Sequence, residues 1–118
     1  MNSEELSNIV VKGMEEIKAE DIVIMDLRKV KGAISDFFII CSGNSDTQIE
    51  SIAASVEHEV KTDCKEIPWR KEGFTNREWI LIDYVNVVAH IFNKGKREHY
   101  GIEELWGDAI ITQVPKNA

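Results

Sequence analysis

The stretch Trp79–Phe92, WILIDYVNVVAHIF, constrains the fold more than any other part of the chain, because its two apolar runs are broken only by Asp83, Tyr84 and Asn86. In an extended chain, alternate side chains point to opposite faces. Leu81, Val85, Val87, Ala89 and Ile91 then fall on one side and Ile80, Ile82, Val88, His90 and Phe92 on the other, unless the turn changes the phase. Both sides are largely apolar, which fits central strands covered on both faces. One buried helix is the competing reading, and the β-branched and aromatic richness decides for strand. Two strands are expected, Trp79–Asp83 and Asn86–Phe92, with Tyr84 and Val85 at their turn.

The rest of the chain supplies cover for such a sheet. Leu6, Ile9, Val10, Gly13, Met14 and Ile17 recur at helical spacing and predict a helix from about Glu4 to Ala19, with Ser3 as its cap. Gly13 either permits close backbone packing or is simply tolerated. Ile22–Leu27 reads as a strand, Arg28–Ser35 as a polar connection and Phe37–Cys41 as a second, buried strand. Ser45 and Gln48 have the spacing of a capping box and open a helix from about Asp46 to Asp63, with Ile49, Ile52, Ala53, Val56 and Val60 as its buried stripe. Cys64–Trp69 alternates enough for a short strand, which Pro68 places at an edge or an interruption, and Arg70–Arg77 should be a loop or hairpin connection. Short helical pieces are expected in Lys94–Tyr100 and Ile102–Trp106. Asp108–Val114 either packs onto the body or forms a short extended segment, and Pro115–Ala118 should fray. The sum is one α/β domain over residues 1–118, a mixed β-sheet of about five strands covered by helices.

Charge narrows the partners. The net charge is −7, and residues 1–60 supply all of it, with twelve acids against five bases, whereas residues 61–118 carry nine of each. A broad phosphate-neutralising surface is therefore disfavoured, and extensive direct nucleic-acid binding is not expected. A basic partner protein fits better. Cys41 and Cys64 are too few for a disulfide framework and lack metal-ligand spacing, so a reducing compartment is the simpler reading. No apolar run approaches the roughly 20 residues that span a bilayer, and no leader pattern opens the chain, so a soluble, cytoplasmic protein is expected.

The chemistry-bearing residues do not form a recognisable site. A metal-dependent nucleotidyl transfer would need Asp26 and Asp83 to meet at strand ends, with Ser42–Ser45 cradling a phosphate. No Asp-x-Asp or Glu-x-Asp pair offers a compact metal platform, however, and Ser42–Ser45 lacks the glycine spacing and Lys-Ser/Thr pair of a phosphate loop. His58, His90 and His99 lack zinc-ligand spacing. His90 is best explained as a core histidine with one ring nitrogen bonded to a carbonyl and the other to a buried acceptor or water. No catalytic residue, cofactor or metal is expected. The aromatics Trp69, Trp79, Tyr84, Phe92, Tyr100 and Trp106 all lie in the second half. Such residues dominate protein interfaces as often as cores, and Tyr84 at a turn and Trp106 in a weak helix suit a core least. A binding protein is favoured over an enzyme, and a module that binds its own copy is a further reading.

Asp36-Phe-Phe-Ile-Ile-Cys-Ser-Gly43-x-Ser45-x-x-Gln48, then Trp79-Ile-Leu-Ile-Asp83-Tyr84, then His90-Ile-Phe92, then Arg97-x-x-Tyr100-x-x-Glu103-x-Leu105-Trp106-x-Asp108-Ala109 closely resembles the ribosomal silencing factor, or Iojap-like, family over residues 4–110. The resemblance implies a small α/β domain with a nucleotidyltransferase-like fold but no established transferase activity. It implies a homodimer when free, and a translational repressor that binds ribosomal protein uL14 on the large subunit and sterically blocks subunit joining. It places Trp79, Asp83 and Tyr84 near the ribosomal contact and Arg97, Tyr100, Glu103, Leu105 and Trp106 in a C-terminal signature, with Asp83 or Glu103 meeting a basic group. The family commonly has Gly-Asp where this chain has Val85-Asn86. Valine strongly resists the positive φ that glycine permits, so a remodelled turn is expected.

Overall fold

Helical periodicity and short apolar runs alternate along the chain, and the computed structural model, which describes residues 2–116, turns them into one helix-covered sheet. The elements are α1 (Ser3–Glu16), β1 (Glu20–Asp26), β2 (Phe37–Gly43), α2 (Asp46–Cys64), β3 (Arg70–Glu72), β4 (Trp79–Asp83), β5 (Val87–Asn93), α3 (Arg97–Tyr100), α4 (Ile102–Leu105) and β6 (Ile110–Gln113). The strand order is β3-β4-β5-β2-β1-β6. β2 and β5 pair in parallel at the centre and every other neighbour is antiparallel.

α1 and α2 lie together on one face, where Val10, Met14, Ile49, Ile52 and Val56 bury Ile39, Cys41, Ile80, Ile82, Ala89 and Ile91. Gly13 is there for packing, since a Cβ at that position would lie 2.7 Å from the Val56 Cα. The Ser55 hydroxyl also donates to the Gly13 carbonyl at 2.7 Å, tying a side chain of α2 to the backbone of α1. The opposite face carries a smaller core of Val23, Met25, Ile40, Phe92 and Ile102, with Phe38, Trp79, Trp106 and Ala109 packed against it.

Several expectations are corrected. The sheet has six strands, because β6 joins β1 through backbone hydrogen bonds that require no buried apolar stripe. The turn does change the phase: Ile80 pairs with Ile91 and Ile82 with Ala89, so these share the helix-covered face. The strand expected over Cys64–Trp69 is absent. α2 runs to Cys64 and is closed by Lys65 at φ 60°, whose N–H donates to the Lys61 carbonyl. Pairing to β4 starts only where Trp69 N–H reaches the Asp83 carbonyl at 2.7 Å, so the strand lies at Arg70–Glu72, in the stretch read as a connection. α1 is capped by Asn2, whose side chain accepts from Glu5 N–H, and not by Ser3. It ends at Glu16, because Lys18 takes φ 57° and Ala19 N–H returns to the Met14 carbonyl in a Schellman closure. Ser45 caps α2 as read, accepting from Gln48 N–H, but the Gln48 side chain reaches Asn44 N–H instead of the cap residue. Of the tail expected to fray, Asn117 and Ala118 lie outside the described residues.

Candidate functional site

Period-two alternation in the central strands sends half of their side chains away from α1 and α2 and onto the thinly covered face. Cross-strand registers set Trp79 against Phe92, Leu81 against His90 and Asp83 against Val88. The Trp79 ring stacks on Phe92 with centroids 5.1 Å apart and meets Tyr100 at 5.0 Å. Phe38, from β2, packs edge-on to His90 at 4.5 Å and to Trp106 at 6.2 Å. The result is an aromatic strip across β4, β5 and β2, bordered by α3 and α4. Tyr100 is 39% exposed and Leu105, on α4, is 75% exposed. Phe38 was hidden in the sequence by the unbroken apolar run Phe37–Cys41. Only its even position, opposite in parity to Phe37, Ile39 and Cys41, marks it for this face.

His90 is buried within the strip, and its Nδ1 accepts from Trp79 Nε1–H at 3.0 Å. The ring proton therefore sits on Nε2, which has no hydrogen-bond partner among the described residues. The carbonyl expected on one ring nitrogen is replaced by the indole. Burial holds the imidazole pKa down at about 3, so His90 is neutral throughout the physiological range.

The other signature residues divide by exposure. The Arg97 guanidinium is largely buried and donates to Glu103 at 2.8 Å, to the Asp21 carbonyl at 2.7 Å and to the Ser42 hydroxyl at 3.0 Å. It clasps α3 and α4 to β1 and β2, and Glu103 meets its basic group inside the chain. Asp83 is 8% exposed; it accepts from Arg70 Nε at 3.2 Å and from Val85 N–H at 2.7 Å. Tyr84 is a correction to its expected place outside the core, being 5% exposed and packed with the α1 and α2 face. Burial raises its hydroxyl pKa, and that hydroxyl has no partner among the described residues.

The β4–β5 turn keeps a glycine-like backbone without glycine. Val85 has φ 74°, and Asn86 N–H donates to the Tyr84 carbonyl at 3.0 Å, which together describe a classic-hand γ-turn. The backbone expected to be remodelled by valine is instead held by its surroundings. Asp83 accepts from Val85 N–H, the Ser35 hydroxyl donates to the Val85 carbonyl, and Asp36 and Phe37 N–H donate to the Asn86 carbonyl. The Val85 side chain is 53% exposed.

The residues from which a metal-dependent transferase would be built do not converge. Asp26 and Asp83 end β1 and β4, which β2 and β5 separate, so about three strand spacings, ~14 Å, lie between them. Asp26 is engaged by Arg28 at 2.8 Å and 3.0 Å, and that hydrogen-bonding lowers its pKa. Ser42–Ser45 lies at the opposite end of the sheet, because β2 runs antiparallel to β1. Cys41 is fully buried, which raises its thiol pKa far above the reactive range. Among the described residues no group of three His, Cys, Asp or Glu side chains is placed to hold a metal ion. No described helix is long and apolar enough to cross a membrane.

Comparison with known proteins gives the family. The family model described as "Ribosomal silencing factor during starvation" matches residues 1–118. A ribosomal silencing factor of Halalkalibacterium halodurans is 38% identical over 114 residues, covering 97% of this chain and 96% of that protein. The chloroplastic Iojap protein of Zea mays is 33% identical over 109 residues, covering 90% of this chain and 45% of the maize protein. A crystal structure of a Chromobacterium violaceum protein superposes with a TM-score of 0.84 at 32% identity, covering 100% of this chain and 93% of that one. The chain belongs to the ribosomal silencing factor family, whose members are non-catalytic translational repressors that act on the large ribosomal subunit.

Proposed function

We propose that this protein binds ribosomal protein uL14 through the aromatic face and blocks subunit joining by its bulk. One observation carries the reading: Trp79 on β4 and Tyr100, Leu105 and Trp106 on and beside α3 and α4 border one face, and among the described residues no group of His, Cys, Asp or Glu is placed there to hold a metal ion. Exposed Leu105 and Tyr100 are the contacts of this proposal, Trp79 and Trp106 the platform beneath them, and Val85 a contact at the end of the strip. Asp83, Tyr84, Arg97 and Glu103 position that surface from within. A desolvated apolar anchor contributes about 2 kcal/mol or more, whereas exposed ion pairs mainly guide orientation.

The same reading takes residues 4–110 as the functional core, on a scaffold akin to nucleotidyltransferases whose chemistry is not used. The protein acts in the cytoplasm, free as a homodimer, with no extensive direct contact to nucleic acid. Purified large subunits, with and without uL14, test the docking. Wild-type protein should sediment with the complete subunit and slow its joining to the small subunit. Leu105→Asp should weaken binding at least tenfold with an unchanged circular dichroism spectrum. Affinity that survives removal of uL14 would overturn the docking mode.

A further inference from the structure

The ladder between β1 and β2 carries one residue too many on β1. Glu20 stands opposite Ser42 and Val23 opposite Ile40, so three steps along β1 match two along β2, and Asp21 sits inside that shift at φ 51°. Bulges of this kind re-aim groups beside binding sites, and a left-handed residue without glycine marks strain that the surroundings hold in place. Here the Asp21 carbonyl accepts from Arg97 Nη1 at 2.7 Å. Between the bulge and α3 and α4 lies a cavity of about 1300 Å³, which Asp21, Ser42 and Arg97 all line.

Arg97 does more there than clasp α3 and α4. Its Nε and Nη1 are taken up by Glu103, Asp21 and Ser42, whereas Nη2 has no hydrogen-bond partner among the described residues and is not buried, so its N–H groups face the cavity. A guanidinium fixed by three hydrogen bonds and open on its remaining side is preorganised for a carboxylate or phosphate oxygen. Charge separates the two. Lys94 and Lys116 share the wall with Glu98 and Glu104, and neither glutamate has an ion pair among the described residues. A dianionic phosphate would meet those uncompensated carboxylates, whereas a ligand with one carboxylate and one ammonium satisfies both signs. The volume exceeds the roughly 300–1,000 Å³ that encloses most small ligands, which suits a short peptide better than a single amino acid. We propose that this cavity binds short zwitterionic peptides, with the C-terminal carboxylate on Arg97 Nη2 and the N-terminal ammonium at Glu98 and Glu104. The binding concerns the free protein and does not rest on docking to the large subunit.

Titration of the free protein with trialanine, trialaninamide, N-acetyltrialanine and inorganic phosphate, followed by the NMR shifts of its backbone amides, tests it. Trialanine should shift Asp21, Ser42 and Gly101 together, with a Kd in the millimolar range or tighter. Loss of the carboxylate in trialaninamide should weaken binding at least tenfold, since a hydrogen bond to a charged group is removed. Arg97→Lys keeps the charge and loses the fork, so it should cost trialanine the same factor and trialaninamide nothing, with circular dichroism reporting whether the clasp survives. Where that variant does not fold, the comparison of acid with amide on the wild type tests the same contact. Glu98→Gln with Glu104→Gln should bring trialanine down to the affinity of N-acetyltrialanine and leave the acetylated peptide unchanged. Phosphate that binds as tightly as trialanine, an amide that binds like the acid, or amides of these residues that stay unmoved at ~10 mM trialanine would each overturn the assignment.

Discussion

At Val85 the chain holds a conformation its side chain disfavours. A β-branched residue at φ 74° costs roughly 1–3 kcal/mol, and it persists because Asp83, Ser35, Asp36 and Phe37 fix the turn from both sides. Val85→Gly relieves that strain and gives back about 1 kcal/mol through the greater freedom of the unfolded chain. The expected net effect is a gain of about 1 kcal/mol, seen as a melting temperature several degrees higher. A lower melting temperature would mean that the valine side chain contributes more to the fold than its backbone costs. Should the same variant also bind large subunits less tightly, the strain is being held for the sake of the exposed methyl groups.

Between elements, the tightest requirement is the crossing of α1 and α2. Helix propensity alone makes Gly13→Ala favourable by about 1 kcal/mol. Packing reverses the sign, because the new methyl would lie 2.7 Å from the Val56 Cα, which is backbone and cannot swing aside. Forcing the helices apart costs about 1–3 kcal/mol and stretches the Ser55 to Gly13 hydrogen bond. Gly13→Ala should therefore lower the unfolding free energy by up to about 2 kcal/mol net, read as a lower denaturation midpoint in urea with the slope unchanged. A stabilised variant would show that α1 can slide on α2.

For the whole molecule, the net charge of −7 bears on how the protein meets a ribosome coated in phosphate. A protein anchored by six to ten phosphate contacts loses roughly 10³–10⁵ in affinity between 50 and 200 mM salt. Docking through an apolar face onto a ribosomal protein releases few counterions. Affinity for large subunits should therefore fall by less than about tenfold over that range at constant magnesium. A steep decline would place the contact on RNA and count against the aromatic face as the anchor.

Sequence alone settled what local rules govern. Period two in β4 and β5, period 3.6 in α1 and α2, and the Ser45 cap were readable because each is a relation among residues within a few positions. The family signature likewise contains Trp79, Tyr100 and Trp106, which the fold brings to one face of the sheet. Tertiary structure decided which of them are available to a partner. Tyr84, Asp83 and Arg97 carry polar groups that suggest a surface, yet each is drawn inward by neighbours remote in sequence. It also decided that Asp26 and Asp83 are kept apart by the two intervening strands β5 and β2, and that β6 exists at all. Strand order and edge pairing are set by long-range hydrogen bonds between backbones, and these leave no periodic trace in the side chains.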